Sequence, residues 1–343
     1  MKILIIGGTG NISTGITDIL IKRGEEVFLY NRGNKKIEGA INIVGDRTRY
    51  DIFERQMREL MDKIGRFDCV IDMICYTPPD AESLVKVFGG KIDQLIFCST
   101  VDVYSKPAPK YPIKEDFERK PSISFPYAFN KAICENILEE AAESGKFHLT
   151  ILRPAATYND TSTPISLLGP GTALLKRIRD GKPVIVLGDG TSFWTSSHRD
   201  DVAVAFANAA GNTRAFNKSY NVTGDEWITW REYYSTVARV MDAPHISFVC
   251  IPTDLLGEIA PNSAKWCVEN FMFNNILDNS LAKEDLMYKY TITWEDGTRR
   301  MINYHNSQGD IDNATEFPLY NLIIERFKYF SSRLVEELSI LDR

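Results

Sequence analysis

The chain has only four histidines and six cysteines in 343 residues. The histidines lie far apart and no His/Cys/Asp grouping has metal-ligand spacing, so no metal is expected. The cysteines (Cys69, Cys75, Cys98, Cys134, Cys250, Cys267) are scattered, several within apolar strand-like runs, which reads as reduced core thiols in a cytoplasmic protein. No apolar run approaches membrane-spanning length, and the short apolar opening ends in glycines, which excludes a signal peptide from the reading. Long basic runs are missing too. Forty Lys and Arg against forty-six Asp and Glu give a net charge of −6, so neither nucleic acid nor a membrane surface is an expected partner. What remains is a globular protein whose 44% hydrophobic content can bury one large domain plus a lobe.

The most informative stretch is the first. Ile3 to Ile6 are four consecutive aliphatics that lead into Gly7, Gly8, Thr9, Gly10, Asn11, Ile12 and Ser13, with Ile16, Ile19 and Leu20 then recurring at helical spacing. A buried strand, a tight turn and a helix start aim backbone N–H groups and the positive end of a helix at a pyrophosphate, making Gly7, Gly10, Asn11 and Ile12 candidate cofactor residues. Such turns also serve ordinary strand-to-helix joints. A second strand (Glu26 to Asn31) ends where a ribose-binding acid would stand, and the chain offers Asn31 and Arg32 instead. A guanidinium suits a 2′-phosphate, which favours NADP over NAD; the bland reading leaves Arg32 solvated on a loop. After a third strand (Ile41 to Val44), Asp46 is placed to meet an adenine amino group, or to cap the next helix.

A fourth strand (Phe67 to Ile74), a helix opened by Pro78, Pro79 and Asp80, and a fifth strand (Gln94 to Cys98) deliver Ser99, Thr100, Val101, Asp102, Val103 and Tyr104 to a carboxyl strand end, where ligands bind in open α/β sheets. Beyond a proline-rich loop, Tyr127 and Lys131 stand four apart on a helix and so share a face. An ammonium beside a phenol lowers its pKa and makes a general base; in isolation the spacing equally describes a surface pair.

The glycine turn, Ser99–Thr100, Tyr127-Ala-Phe-Asn-Lys131, Leu152-Arg153-Pro154, Gly188-Asp189-Gly190, His198-Arg199-Asp200-Asp201 and Tyr220-Asn221-Val222 together resemble the extended short-chain dehydrogenase/reductase superfamily, and more narrowly its NAD-dependent epimerase/dehydratase family, over roughly residues 1–305. The resemblance implies a Rossmann-like, doubly wound parallel α/β sheet with a smaller C-terminal substrate-binding lobe. It further implies Tyr127 as acid/base, Lys131 as holder of the nicotinamide ribose and depressor of the tyrosine pKa, Thr100 in the hydroxyl network, and a homodimer. Expected domains are 1–165 plus about 184–225 for the NAD(P)-binding domain, about 166–183 plus 226–310 for the lobe, and a helical tail over 311–343 with a break near Ser331.

Departures narrow the reading. Ser13 replaces a third glycine, Asp72, Met73 and Ile74 replace a small strand end, and Ser192, Phe193 and Trp194 stand where sugar-nucleotide relatives carry a diphosphate arginine, leaving Arg177, Arg179, Arg299 and Arg300 as substitutes. Asp102 occupies a position where dehydratases of the family carry glutamate; it reads as a base beside a transient ketone, or as a strand-end acid bonded to backbone. The function implied is an NAD(P)-dependent epimerase or dehydratase acting on a sugar nucleotide or related polyol through a transient ketone. The alternatives are an NADP-dependent ketone or aldehyde reductase of the same fold, and a non-catalytic dinucleotide-sensing or RNA-binding relative.

Overall fold

A computed structural model describes residues 1–341. The described residues divide into two compact units: residues 1–159, 195–226 and 276–293 form the first, and residues 160–194, 227–275 and 294–341 the second.

The first unit is built on seven parallel strands: β1 (Lys2–Ile6), β2 (Glu26–Asn31), β3 (Ile41–Val44), β4 (Phe67–Asp72), β5 (Ile92–Cys98), β6 (His148–Pro154) and β7 (Lys218–Val222), in the spatial order β7-β6-β5-β4-β1-β2-β3. Strand order reverses beside β1, which makes the doubly wound sheet and its switch point. Ile3, Leu4, Ile5 and Ile6 are fully buried because helices cover both faces, each contributing about 1.5–3 kcal/mol. Register aligns Ile6 with Tyr30 on one side and Asp72 on the other, so the turns after β1, β2 and β4 emerge along one edge.

Helix α1 (Asn11–Lys22) starts directly from the glycine turn, where Gly7 adopts φ +85°, a conformation that favours glycine. Ser13 does the work of a cap: its hydroxyl accepts from Gly10 N (2.8 Å) and donates to Gly7 O (2.6 Å). The close approach expected of a third glycine falls instead to Gly15, where an added Cβ would lie 2.9 Å from Ala203. Further on come α2 (Tyr50–Ile64), α3 (Pro78–Phe88), closed at its start by a Thr77–Asp80 capping box, and α4 (Pro126–Glu143), which has proline at its first position. Strand β4 stops at Asp72, two residues short of the sequence reading, because the Asp72 carboxylate turns back to accept from Ile74 N at 2.8 Å.

The domain expectation needs three corrections. Residues 184–194 belong to the second unit, where Val184–Leu187 pairs in parallel with Phe248–Ile251. Residues 276–293 return to the first unit: Ile113 N donates to Ile276 O (2.8 Å) and Tyr288 Oη to Thr223 O (2.9 Å). The tail is part of the second unit, where Tyr320 Oη accepts from Ile185 N at 2.8 Å. Its helix, Pro318–Leu338, runs unbroken through Ser331, since serine costs a helix only a few tenths of a kcal/mol, about 0.5, and is no breaker. Among the described residues no helix is long and apolar enough to cross a membrane.

Candidate active site

Along the carboxyl edge of the sheet lies a cleft of about 560 Å³ whose walls include Gly7, Gly10, Asn31, Arg32, Asp46 and Tyr76. Asn31 is tied through its Oδ1 to Gly33 N (2.8 Å), while its buried Nδ2 has no hydrogen-bond partner. A buried donor at the wall of a cleft suits an acceptor-rich guest, and the ribose and phosphates of a dinucleotide are such a guest. Arg32 is exposed at the rim. Asp46 accepts from Thr48 N (2.9 Å) and Thr48 Oγ1 (2.8 Å), which hold its carboxyl below the usual range; it forms a turn ahead of α2 and does not cap it, the helix opening only after Arg49. The Asn11 side chain is engaged elsewhere, donating to Thr157 O (3.0 Å) and accepting from Asn159 Nδ2 (2.6 Å), and Ile12 packs on the core. Any cofactor contact from these two therefore comes from their backbone at the helix start.

Strand β5 and α4 bring the predicted catalytic set together. The half-buried Tyr127 lies beside Thr100 and the Asp102 carboxylate, both of which act on its phenol. Thr100 Oγ1 donates to Asp102 Oδ2 (3.1 Å) and accepts from Asp102 N (3.2 Å). Asp102 Oδ1 lies 3.6 Å from the ammonium of Lys106, both side chains being about nine-tenths buried. Lys131 is buried, donates to Cys98 O (2.6 Å) and lies 4.7 Å above the rings of Tyr76 and Phe97.

One electrostatic expectation fails. The Tyr127 pKa is raised well above 10, by burial first and then by the Asp102 charge, with Cys98 and Tyr76 adding and the Thr100 hydroxyl opposing. The Lys131 ammonium meanwhile is engaged by the Cys98 carbonyl and two ring faces. Sequence reading also missed two residues. Tyr76, whose ring centre is 6.5 Å from that of Tyr127, follows a turn with no motif to mark it. Lys106 carried a signal, opposite charge four residues after Asp102, but it stands in a proline-flanked loop where no helix licenses that spacing.

Three of the four arginines offered for a diphosphate are occupied within the second unit. Arg177 donates to Pro183 O (2.6 Å) and Asn321 Oδ1 (2.7 Å), Arg179 pairs with Asp312 (2.8 Å) and Arg299 with Glu295 (3.1 Å). Trp194, Trp230 and Trp294 are buried packing residues. His198 caps a helix by accepting from Asp200 N at 3.2 Å. Among the described residues no group of three or more His, Cys, Asp or Glu could hold a metal ion.

A glycine turn on a switch-point strand, with Thr100 at the end of β5 and Tyr127 and Lys131 on α4, belongs to a doubly wound, Rossmann-like parallel α/β fold. Residues 81–223 carry the pattern of the NAD dependent epimerase/dehydratase family, the family that the motifs resemble. Among curated proteins, 2′-dehydrokanamycin reductase of Streptomyces kanamyceticus is 24% identical over 82% of this chain and 78% of its own length. Chloroplast stem-loop binding protein of 41 kDa b from Arabidopsis thaliana is 26% identical over 72% of this chain, a match that spans 65% of that protein. A 2-alkyl-3-oxoalkanoate reductase of Stenotrophomonas maltophilia is 24% identical over 72% of this chain and 77% of its own. The fold is that of solved epimerases: one from Methanothermobacter thermautotrophicus (TM-score 0.72, 15% identical, 92% of this chain and 95% of that one) and the UDP-glucose 4-epimerase of Thermotoga maritima (TM-score 0.69, 21% identical, 90% and 99%).

Proposed function

We propose that this protein interconverts a secondary alcohol and a ketone on a small hydroxyl-rich substrate with bound NAD(P), in a redox-neutral epimerase or dehydratase cycle. The cleft at the carboxyl edge of the sheet, with the unpartnered Asn31 Nδ2 on its wall and Thr100 and Tyr127 beside Asp102 at the end of β5, carries this reading. The dinucleotide supplies the hydride acceptor and donor. Tyr127 takes and returns the proton at the substrate oxygen, Thr100 holds the phenol in line, and the Asn31 Nδ2, Arg32 and the backbone of the Gly7–Ile12 turn are the groups that would hold the dinucleotide. Sugar-containing substrates are the class in view. With Arg177, Arg179 and Arg299 already paired, a nucleotide diphosphate is the less supported form of them.

A second reading, net reduction of a ketone with NADPH, is supported by Arg32 at the cleft rim and by the two relatives that are reductases by name. The purified protein should be assayed against UDP-sugars, free ketosugars and a β-keto acid, with and without NADPH. Product formation without cofactor consumption supports the internal cycle; stoichiometric NADPH loss supports the reductase. Tyr127→Phe should lower either rate by about 10²–10⁴-fold, and wild-type turnover in that variant refutes both.

A further inference from the structure

The tail helix, Pro318–Leu338, changes surroundings half-way along. Its first turns pack on the second unit through Tyr320, Ile323 and Ile324, which are buried, and Phe327, which is half-buried. Spacing of three and four residues carries the same face onward to Phe330, Leu334 and Leu338. There the face is uncovered: Phe330 is 63% exposed, Leu334 58%, Val335 64% and Leu338 51%, and Leu341 just beyond is 81% exposed. These five side chains leave on the order of 500 Å² of apolar surface in one stripe, near the top of what a monomer carries, and two such stripes face to face, flanks included, reach the roughly 1,200 Å² at which stable interfaces begin.

Charge says what covers the stripe. Through the middle turns Arg326, Lys328 and Arg333 outnumber Glu325, whereas the last turns carry Glu336 and Glu337 and no base. The helix is therefore positive and then negative along its length. Antiparallel pairing with a second copy sets each half against its opposite, and a parallel pair would stack like on like. An ion pair within the helix, Arg333 to Glu337 at 3.1 Å, is more than half exposed and too weak to commit either partner. These six charges cancel, so the stripe lacks the Lys- and Arg-rich flanks with which an amphipathic helix holds an anionic lipid surface. We propose that the outer half of the tail helix is a self-association surface, on which two copies of the chain pair antiparallel about a two-fold axis. With the axis near Leu334, Phe330 of one copy meets Leu338 of the other. A two-fold contact requires a patch that complements itself, and the positive-then-negative order supplies that.

The test is the particle mass of the full chain, read by light scattering after size-exclusion chromatography at low salt, with dissociation constants from analytical ultracentrifugation. Phe330→Ser combined with Leu334→Ser should halve the mass. Arg326→Glu combined with Lys328→Glu makes both halves of the helix negative and should raise the dissociation constant about tenfold, an effect that shrinks at high salt. Adding Glu336→Lys and Glu337→Lys to that pair restores opposite halves and should return the constant toward the wild-type value. A wild-type mass of one chain, an unchanged mass in the serine variant, or a fourfold charge variant as weak as the twofold one overturns the proposal. So does a monomer that sediments with vesicles of phosphatidylserine and phosphatidylcholine, which would assign the stripe to a lipid surface. All six substituted side chains are exposed, and the charge series decides the matter should the serine variant fail to fold. No turnover is measured, so this result stands or falls separately from the Tyr127→Phe assay.

Discussion

Two arginines in the first unit are almost wholly buried, and they are treated differently. Arg153 on β6 places all its donors: Nε and Nη2 grip both oxygens of Glu135 (2.9 and 2.8 Å), and Nη1 reaches Tyr104 Oη (2.8 Å) and Glu115 O (3.0 Å). Arg119 also pairs with Glu135 and continues to Glu139. Arg47, beside the cleft, has two acids for one cation. Its Nε meets Asp80 Oδ1 (3.2 Å), Nη2 meets Asp80 O (2.8 Å) and stands 3.0 Å from Asp72 Oδ2, and Nη1 has no partner. The carboxylates register the difference. Glu135 is held below its ordinary pKa of 4.5: burial pushes it up, but Arg153 and Arg119 outweigh that. Asp72 is pushed above its ordinary 3.8, because burial outweighs Arg47 and the neighbouring Lys131. A bidentate, fully bonded pair repays desolvation and a single-pronged one does not. The incomplete cluster is the one at the cleft, which Arg47 and Asp80 line.

The largest expected effect follows from breaking the complete cluster. Arg153→Met leaves Glu135 buried beside a half-shielded Arg119 and should cost about 3–5 kcal/mol, read by urea or thermal unfolding, without weakening NADP⁺ binding. Loss of cofactor affinity at unchanged stability would reverse the assignment of the two clusters. A smaller effect separates them by pH. Because the folded pKa of Glu135 lies below 4.5, its stabilisation is complete above pH 4.5 and is lost as pH falls through the folded value. Asp72 has the opposite sign: its ionisation in the folded state costs stability above pH 3.8, and the cost is relieved as pH falls through its raised folded value. Melting temperatures of Glu135→Gln and wild type should therefore converge on acidification. The Asp72→Asn advantage, where present at neutral pH, should shrink over the same range.

The β-sheet and the glycine turn were legible because aliphatic runs, a fixed side-chain period and Gly7 mark them in the chain itself. Thr100, Tyr127 and Lys131 were legible because their spacing puts them on one strand end and one helix face. The direction of the Tyr127 shift was not, since it depends on how deeply the phenol is buried and on the Asp102 charge beside it, neither of which its own spacing reveals. Arg153 illustrates the same limit. It sits in a motif shared with the family, yet its partners come from Glu115 and Glu135, well upstream in sequence. The exchange of segments between the two units was hidden for a related reason: Val184–Leu187 reads as a strand, and only its pairing with Phe248–Ile251 assigns it to the second unit.

The smallest expected effect sharpens the contrast most. The Asp72 carboxylate does two things: Oδ1 accepts from Ile74 N to end β4, and Oδ2 faces Arg47. Asparagine keeps an acceptor oxygen for the Ile74 N–H and removes a charge that the buried site already resists. Asp72→Asn should therefore change unfolding free energy by no more than about 1 kcal/mol at neutral pH, in clear distinction from Arg153→Met. Arg47 would then keep only Asp80 as its counter-ion, and with its Nη1 unpartnered it would give the cleft more net positive charge. NADP⁺ affinity, measured by fluorescence titration, should hold or rise in this variant. A loss of several kcal/mol in Asp72→Asn would show that the Arg47 cluster is as tightly coupled as the Arg153 one, and that its unsatisfied donor has no bearing on the cofactor.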